Sequence, residues 1–154
     1  MTRSIFFCVF LVVSSILQLC YAVEFKDCGS KIGHFTKITI SNCDTSKTAC
    51  ELVRNSNVSL TIDFIPSQDI SKIEAVIHGV IADVPIPFPL SHPDVCTNPE
   101  SNIQCPLKKD TEYTYKAVLP VENTYPKLSL KVRWELQDEN KQDIICVSIP
   151  AKIK

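Results

Sequence analysis

Cysteine is the residue type that could support the widest range of chemistry in this 154-residue sequence, which contains eight cysteines. Two lie in the apolar N-terminal stretch, and six follow it: Cys28, Cys43, Cys50, Cys96, Cys105 and Cys146. No C-x-x-C pair occurs and no histidine neighbours a cysteine at metal-ligand spacing, so we expect no metal site. An even cysteine set in an exported chain indicates three disulfides.

Short loops favour two of these disulfides, Cys43–Cys50 and Cys96–Cys105, although sequence alone allows many pairings. This choice leaves Cys28–Cys146 to join the two ends of the domain. A bridge that closes so long a loop stabilises by about 4–5 kcal/mol on the chain-entropy model. Because all six cysteines would then be oxidised, we expect no thiol nucleophile.

Histidines are the other candidates for catalysis, and the chain has three: His34, His78 and His92. None belongs to a G-x-S-x-G, P-loop or H-E-x-x-H motif. His78 lies in an apolar run, which favours a buried structural histidine. We therefore expect no enzyme activity and no cofactor. A secreted enzyme stays as an alternative, which a histidine bonded to a nucleophile inside a pocket would support.

Residues 1–22 have the three parts of a secretory signal peptide. Arg3 is the only charge before Glu24, an apolar stretch follows it, and Cys20-Tyr21-Ala22 is a small-x-small triplet suited to cleavage. The apolar stretch is slightly short for a membrane-spanning helix, which is the alternative. We therefore expect a signal peptide at 1–22 and one secreted domain at 23–154, in the extracellular space or the lysosomal lumen.

The chain after residue 22 is dominated by alternating apolar and polar residues, a pattern typical of strands with one buried face. The clearest runs are Val58–Phe64 and Leu128–Leu136, and the weaker ones are Thr36–Ile40, Tyr113–Ala117, Ile73–Ile81, Ile144–Ile149 and Glu51–Arg54. These predict an all-β fold, an immunoglobulin-like antiparallel β-sandwich of about seven strands.

One stretch departs from the strand pattern, because six of the ten prolines fall between Pro85 and Pro106. Proline cannot donate to a β-ladder, so we expect a long, stiff loop there, closed inside by Cys96–Cys105. Apolar residues such as Val84, Ile86 and Phe88 argue that this loop is ordered.

The overall composition narrows the functions further. The chain has 16 basic and 17 acidic residues, so no general electrostatic attraction to nucleic acid is expected. Hydrophobic residues make up 45% of it. Together with the apolar proline-rich loop, this excess favours a sandwich whose interior holds an apolar ligand, with ordinary core packing as the alternative.

Several motifs in order give the chain a resemblance to the ML lipid-recognition family over nearly its whole length after residue 22. They are Phe25–Ser30, His78-Gly79, Val84–Pro89, Cys105-Pro106, Leu119–Val121, Tyr125-Pro126, Trp134–Asp138 and Cys146 with Ile149-Pro150. The resemblance implies two sheets that splay to hold a sterol, and the same three disulfides. It also implies a monomer that makes transient membrane contact.

The resemblance further implies roles for individual residues. Phe88, Val121 and Tyr125 match the family positions that gate the ligand tunnel. Asp94 matches a position in the region that hands ligand to a membrane sterol-transport partner, although the family's nearby lysine is Thr97 here. Similar arthropod proteins carry fatty acids or odorants, so these semiochemical ligands are an alternative to a sterol. A cavity-free adhesion or recognition sandwich is a second alternative.

Asn57-Val58-Ser59 is the one N-glycosylation sequon of the sequence. Asn57 lies at the polar-facing start of a predicted strand, so its side chain should be exposed. The resemblance places a family glycosylation site at the same position.

Overall fold

Two β-sheets packed face to face form the protein, whose computed structural model describes residues 22–154. The predicted signal peptide lies outside the described residues except for Ala22. The elements are β1 (Lys26–Asp27), β2 (Gly33–Ile40), β3 (Cys50–Leu52), β4 (Ser56–Pro66), β5 (Glu74–Ile81), β6 (Val84–Phe88), a 3-10 turn (Pro99–Ser101), β7 (Tyr113–Val121), β8 (Ser129–Gln137) and β9 (Asp143–Ile153).

The larger sheet has the order β1-β9-β8-β5-β6, and β3 also pairs with β9, in parallel. The smaller sheet has the order β2-β4-β7, and every strand pair other than β3–β9 is antiparallel. This arrangement confirms the expected all-β, immunoglobulin-like antiparallel sandwich. Among residues 22–154, no helix has the length and apolar character that crossing a membrane requires.

The alternation of β8 shows how the sequence builds the sandwich interior. Leu130, Val132, Trp134 and Leu136 occupy alternate positions of β8 and therefore share one face of the sheet. This face meets the smaller sheet, since Leu136 is fully buried and the other three line the cavity between the sheets. The same face of β4 carries Leu60, Ile62 and Phe64. Burying these two apolar faces against each other removes them from water, which is the main driving force for the fold.

Strand β6 corrects the prediction of a loop that begins at Pro85. Val84–Phe88 is an edge strand, paired with β5 through the register Gly79↔Ile86. Because an edge strand directs only alternate N–H groups at its neighbour, Pro85 and Pro87 occupy the positions between them without losing a ladder bond. This strand and the two-residue β1 raise the number of strands from the expected seven to nine.

The turn between β5 and β6 explains why the hairpin has no sequence signal. Ala82 and Asp83 both have positive φ angles, of 48° and 64°, and they connect the paired residues Ile81 and Val84. A two-residue hairpin turn in which both residues have positive φ normally consists of Asn-Gly or Asp-Gly. Here neither position is glycine, so the motif that predicts such a hairpin is missing.

The remainder of the proline-rich segment covers one end of the sandwich. Ile70 and Leu107 exchange backbone hydrogen bonds of 3.0 and 2.8 Å, and Val95 N–H donates to the Ile73 carbonyl at 3.0 Å. Val95 and Leu107 are buried, and Cys96–Cys105 closes the loop between them. The loop is therefore ordered, and it acts as a cover for the core at the end away from β6.

Candidate functional site

The sandwich interior contains a cavity of about 320 Å³ between the two sheets. One wall comes from the larger sheet and the other from the smaller sheet; their residues include Ile77, Gly79, Ile81, Leu130, Val132, Trp134, Ile149 and Ala151, facing Ile40, Val58, Leu60, Leu119 and Val121. Among the residues that the structure describes, none that lines this cavity is Asp, Glu, Lys or Arg. The volume is at the lower end of the range for small-molecule sites, and the apolar lining suits a hydrocarbon ligand.

Trp134 forms the floor of the cavity. Its side chain is 2% exposed, and its ring centroid lies 6.1 Å from that of Tyr115, which belongs to β7. Burial raises the pKa of the Tyr115 phenol, so this hydroxyl stays neutral. Beyond this pair of aromatic rings the interior is filled by side chains such as Phe64 and Leu136, which are fully buried.

Phe88 and Tyr125 meet at the mouth of the cavity. Their ring centroids are 6.0 Å apart and the rings stand at 78°, an edge-to-face contact between the end of β6 and the β7–β8 turn. Val121, at the end of β7, lies beside them and is 6% exposed. Phe88, at the end of β6, and Val121 and Tyr125, at the β7–β8 turn, all line the same cavity.

Two backbone hydrogen bonds hold the β7 side of the mouth. Asn55 N–H donates to the Val121 carbonyl at 2.7 Å, and Tyr125 N–H donates to the Glu122 carbonyl at 3.2 Å. The second bond closes a turn that directs Tyr125 toward Phe88. A turn and an edge strand can move apart without breaking the central strands, because few sheet hydrogen bonds depend on them. The gating role of Phe88, Val121 and Tyr125 stays a prediction.

Sequence reasoning missed most of the cavity wall. Ile86 and Leu119 line the cavity although they were not among the predicted site residues. Leu119 continues the alternation of β7 beyond the predicted strand Tyr113–Ala117, so the direction of its side chain could be read from the sequence. Ile86 lies on β6, within the segment predicted as a loop, so its direction could not. That both side chains face a void could not be read from the sequence either.

Asp94 lies away from the mouth. Its Oδ1 accepts hydrogen bonds from the N–H groups of Cys96 at 3.0 Å and Thr97 at 3.2 Å, and the residue pairs with Glu74 at the opposite end of β5 from the β5–β6 turn. The structure therefore gives Asp94 a local role in holding the cover loop. Its part in partner transfer stays a prediction.

Asn57 lies on β4 opposite Pro120, and its side chain is exposed. A glycan at this position would extend into solvent without displacing a strand. Use of the sequon stays a prediction.

The six cysteines of residues 22–154 form three disulfides, Cys28–Cys146, Cys43–Cys50 and Cys96–Cys105. Cys146 lies near Glu135 and Asp143, and one ligand atom of each of the three falls within 4.8 Å of the others. The sulfur of Cys146 is bonded to Cys28 and Glu135 is paired with Arg133, so this group offers no thiolate for a metal.

His78 lies on the outer face of the larger sheet, opposite Arg133 in the register with β8. Its Nδ1 is 3.3 Å from a carboxylate oxygen of the buried Glu135. His78 is also among the residues that border the cavity. The contact joins an imidazole to a carboxylate and includes no serine, threonine or cysteine nucleophile.

The model of the ML domain family matches residues 22–153. The chain belongs to the ML domain family. The expectation that it is not an enzyme is confirmed by this membership and by its relatives, since those named for an activity are transporters.

Related proteins give the same assignment. The chain is 50% identical over 133 residues to "NPC intracellular cholesterol transporter 2 homolog a" of Drosophila melanogaster, covering 86% of this chain and 88% of the relative. It is 37% identical over 131 residues to "NPC intracellular cholesterol transporter 2" of Mus musculus, covering 85% of each chain.

The solved structure of a Niemann-Pick type C2 protein from Japanese carpenter ant superimposes with a TM-score of 0.83 at 46% identity, covering 85% of this chain and 99% of that one. Chicken MD-1 complexed with lipid IVa shares the fold, with a TM-score of 0.56 at 15% identity, covering 83% of this chain and 86% of that one.

Proposed function

We propose that the protein is a carrier that binds a sterol in the cavity between its sheets and transfers it between membranes or to a membrane sterol-transport protein. The observation that carries this proposal is a cavity of about 320 Å³ with an almost entirely apolar lining and a pair of aromatic rings, Phe88 and Tyr125, at its mouth. The mechanism is reversible burial of an apolar molecule, without a chemical step.

The energetics of burial support a useful affinity. A sterol and the walls around it remove several hundred Å² of apolar surface from water, which at about 25 cal/mol per Å² amounts to on the order of 10 kcal/mol. Loss of translational and rotational freedom offsets part of this gain. Dissociation constants near micromolar or tighter follow, which suits a carrier that must also release its ligand.

The relatives support the same ligand class. Proteins from fly and mouse that resemble this chain are named as intracellular cholesterol transporters. A fatty acid or semiochemical is the second candidate, because a cavity lined almost entirely by apolar groups sets few limits on the shape of a hydrocarbon. We propose that the protein acts as a monomer in the extracellular space or the lysosomal lumen, and three disulfides suit such an oxidising compartment.

Mass spectrometry of lipids that co-purify with the natively expressed protein is the most direct test. We expect a sterol in the bound fraction, released by delipidation and taken up again by the delipidated protein. A bound fatty acid would favour the second candidate. A delipidated protein that takes up neither would contradict the carrier function and favour an adhesion or recognition sandwich.

The proposed gate can be tested with a matched pair of variants. Phe88→Ala removes the ring that meets Tyr125, and we expect it to weaken sterol binding at least fivefold while the protein stays folded, because the ring would no longer shield the ligand from water. Phe35→Ala is the control, since Phe35 packs against the core without lining the cavity. Unchanged binding by Phe88→Ala and Tyr125→Ala would remove both residues from the site.

A further inference from the structure

Gly79 lines the cavity but contributes no side chain to its wall, and its backbone gives no reason for a glycine. The residue lies within β5, where it pairs with Val132 on one side and Ile86 on the other. Its φ is not positive, so an alanine could adopt the same conformation. Because glycine inside a strand lowers stability relative to alanine, the missing side chain needs another explanation.

Gly33, at the start of β2, shows what a packing requirement for glycine looks like. A methyl group there would lie 2.8 Å from the Ile65 carbonyl oxygen and 2.9 Å from the Ile144 carbonyl oxygen. A methyl group at Gly79 would instead lie 3.2 Å from Leu130 Cδ1, the end of a flexible side chain that also lines the cavity. The space in front of Gly79 therefore belongs to the cavity, and no backbone fills it.

The residues around Gly79 make this space a notch in the cavity wall. Ile77 and Ile81 lie two residues away on the same face of β5, and Ile86 and Val132 are the partners across the sheet. All four are β-branched and line the cavity. Since neighbouring strands are about 4.8 Å apart and alternate residues of a strand about 6.7 Å apart, the notch is one side chain wide.

The notch lies beside both the floor and the mouth of the cavity. Ile77, the next residue of β5 on the same face, pairs with Trp134 of the floor and with Phe88 of the mouth. The row that contains Gly79 is thus one step of about 6.7 Å from the row that joins these two rings. A ligand that fills the space between the sheets therefore lies across the notch.

We propose that the Gly79 notch accepts a methyl branch of a rigid ligand and so favours methyl-bearing fused rings over straight hydrocarbon chains. The methyl groups of a sterol project from a rigid plate, so a wall without a notch would hold the plate off and lose its dispersion contacts. A straight chain has no fixed projection and can bend past a filled notch. This inference rests on the proposed carrier function, and it assigns the choice between a sterol and a straight-chain lipid to one missing side chain.

The test compares cholesterol with oleyl alcohol, which both have a neutral hydroxyl head group but differ in the shape of the hydrocarbon. Dissociation constants are measured for the delipidated wild type, Gly79→Ala and Gly79→Val. We expect Gly79→Ala to weaken cholesterol binding about tenfold or more, the range for one carbon in a hydrophobic pocket, and oleyl alcohol binding by less than about threefold. Gly79→Val should enlarge the difference.

Val80→Ile is the matched control, because it adds one carbon to the next residue of the same strand. Val80 points to the other face of the sheet and is not among the residues that line the cavity. We expect Val80→Ile to leave both dissociation constants unchanged.

Thermal unfolding checks that the Gly79 variants stay folded. Gly79→Ala should unfold at the same temperature as the wild type or higher, because alanine is favoured over glycine in a strand and the Leu130 side chain can move into the cavity. A fall in cholesterol affinity without a fall in unfolding temperature then reports on the notch.

The outcomes distinguish the notch from the carrier function. If Gly79→Ala weakens both lipids by the same factor or leaves both unchanged, or if Val80→Ile gives the same pattern, the role of the notch is overturned while the carrier function stands. If the wild type binds neither lipid, the carrier function fails and the inference fails with it. If cholesterol affinity falls in the order wild type, alanine, valine, and oleyl alcohol affinity is kept, the notch determines which hydrocarbon shape is bound.

Discussion

The two ends of the sandwich interior use the same strands in opposite ways. On β8, Leu136 is fully buried among core side chains, whereas Leu130, six residues earlier on the same face, lines a cavity. On β4, Phe64 is fully buried and Leu60 lines the cavity. Aromatic rings at Tyr115 and Trp134 mark the boundary between the packed end and the hollow end.

The difference between the two ends lies in what covers them. The packed end is covered by the segment that carries Val95 and Leu107, which add buried side chains from outside the sheets. The hollow end is bordered by the edge strand β6 and the β7–β8 turn, which contribute the rings of Phe88 and Tyr125 at the rim. Folding stability therefore concentrates in the packed end, and room for a ligand is left in the other. The predictions below are ordered by their expected effect on the free energy of unfolding.

Leucine truncation gives the largest expected contrast. Leu136→Ala should lower the free energy of unfolding by about 3 kcal/mol, because a cavity would open in a close-packed region. Leu130→Ala should cost about 1 kcal/mol, because its side chain already borders a void. Chemical denaturation of both variants measures the difference, and equal losses would show that the two ends are packed alike.

Removing the Cys96–Cys105 disulfide, which closes the cover loop, should have the second-largest effect on the free energy of unfolding. Replacing both Cys96 and Cys105 by serine should lower the free energy of unfolding by about 2–3 kcal/mol on the chain-entropy model. Ligand binding by the folded variant should be unchanged, since neither residue lines the cavity.

The matched variant replaces Cys43 and Cys50, which close a loop of similar length. Cys50 lines the cavity, so this variant should lose stability and also change ligand affinity. Lost binding in the Cys96 and Cys105 variant, measured below its melting temperature, would mean that the cover supports the hollow end as well.

Enlarging one side chain at each end should separate binding from stability. Val121→Phe places a ring in the cavity, so we expect ligand affinity to fall at least tenfold while the free energy of unfolding changes by less than about 1 kcal/mol. Val95→Phe, in the packed end, should instead cost about 1–3 kcal/mol and leave the affinity of the folded protein unchanged. Titration with a fluorescent sterol and denaturant unfolding measure the two quantities.

The smallest effect is a gain in stability at the β5–β6 turn. Ala82 has a φ of 48°, a left-handed conformation that an alanine adopts at a cost of about 1 kcal/mol. Ala82→Gly should therefore raise the free energy of unfolding by about 0.5–1 kcal/mol. Ala117→Gly, in the middle of β7, is the control and should lower it by a similar amount. A loss of stability in Ala82→Gly would show that the turn does not strain the native chain.

The limits of sequence reasoning are visible in β6 and the segment after it. Proline content alone predicted one loop from Pro85 to Pro106, but Val84–Phe88 pairs with β5 and only the later residues form a cover. Whether proline is tolerated depends on whether a strand lies at an edge, and edges are defined by the order of strands in the sheet. The hairpin that joins β5 to β6 was missed because Ala82-Asp83 is not a recognised turn pair.

The predicted site residues also differ in how well the sequence indicated their position in the fold. Phe88, Val121 and Tyr125 were selected by resemblance, and the structure places all three on one cavity. Asp94 was selected in the same way, but it lies at the other end of β5, where its carboxylate holds a turn. Resemblance transfers a residue's position in the chain, whereas its distance from the mouth depends on the path of the cover loop.

The sequence by itself determined seven of the nine strands, the inner and outer faces of those with clear alternation, and the even set of six cysteines after residue 22, because alternation and composition are local properties. Only the tertiary structure decided which half of the apolar interior is filled and which is hollow. The direction of a side chain follows from the period of its strand, but the space in front of it depends on the separation of the two sheets and on the segment that covers each end.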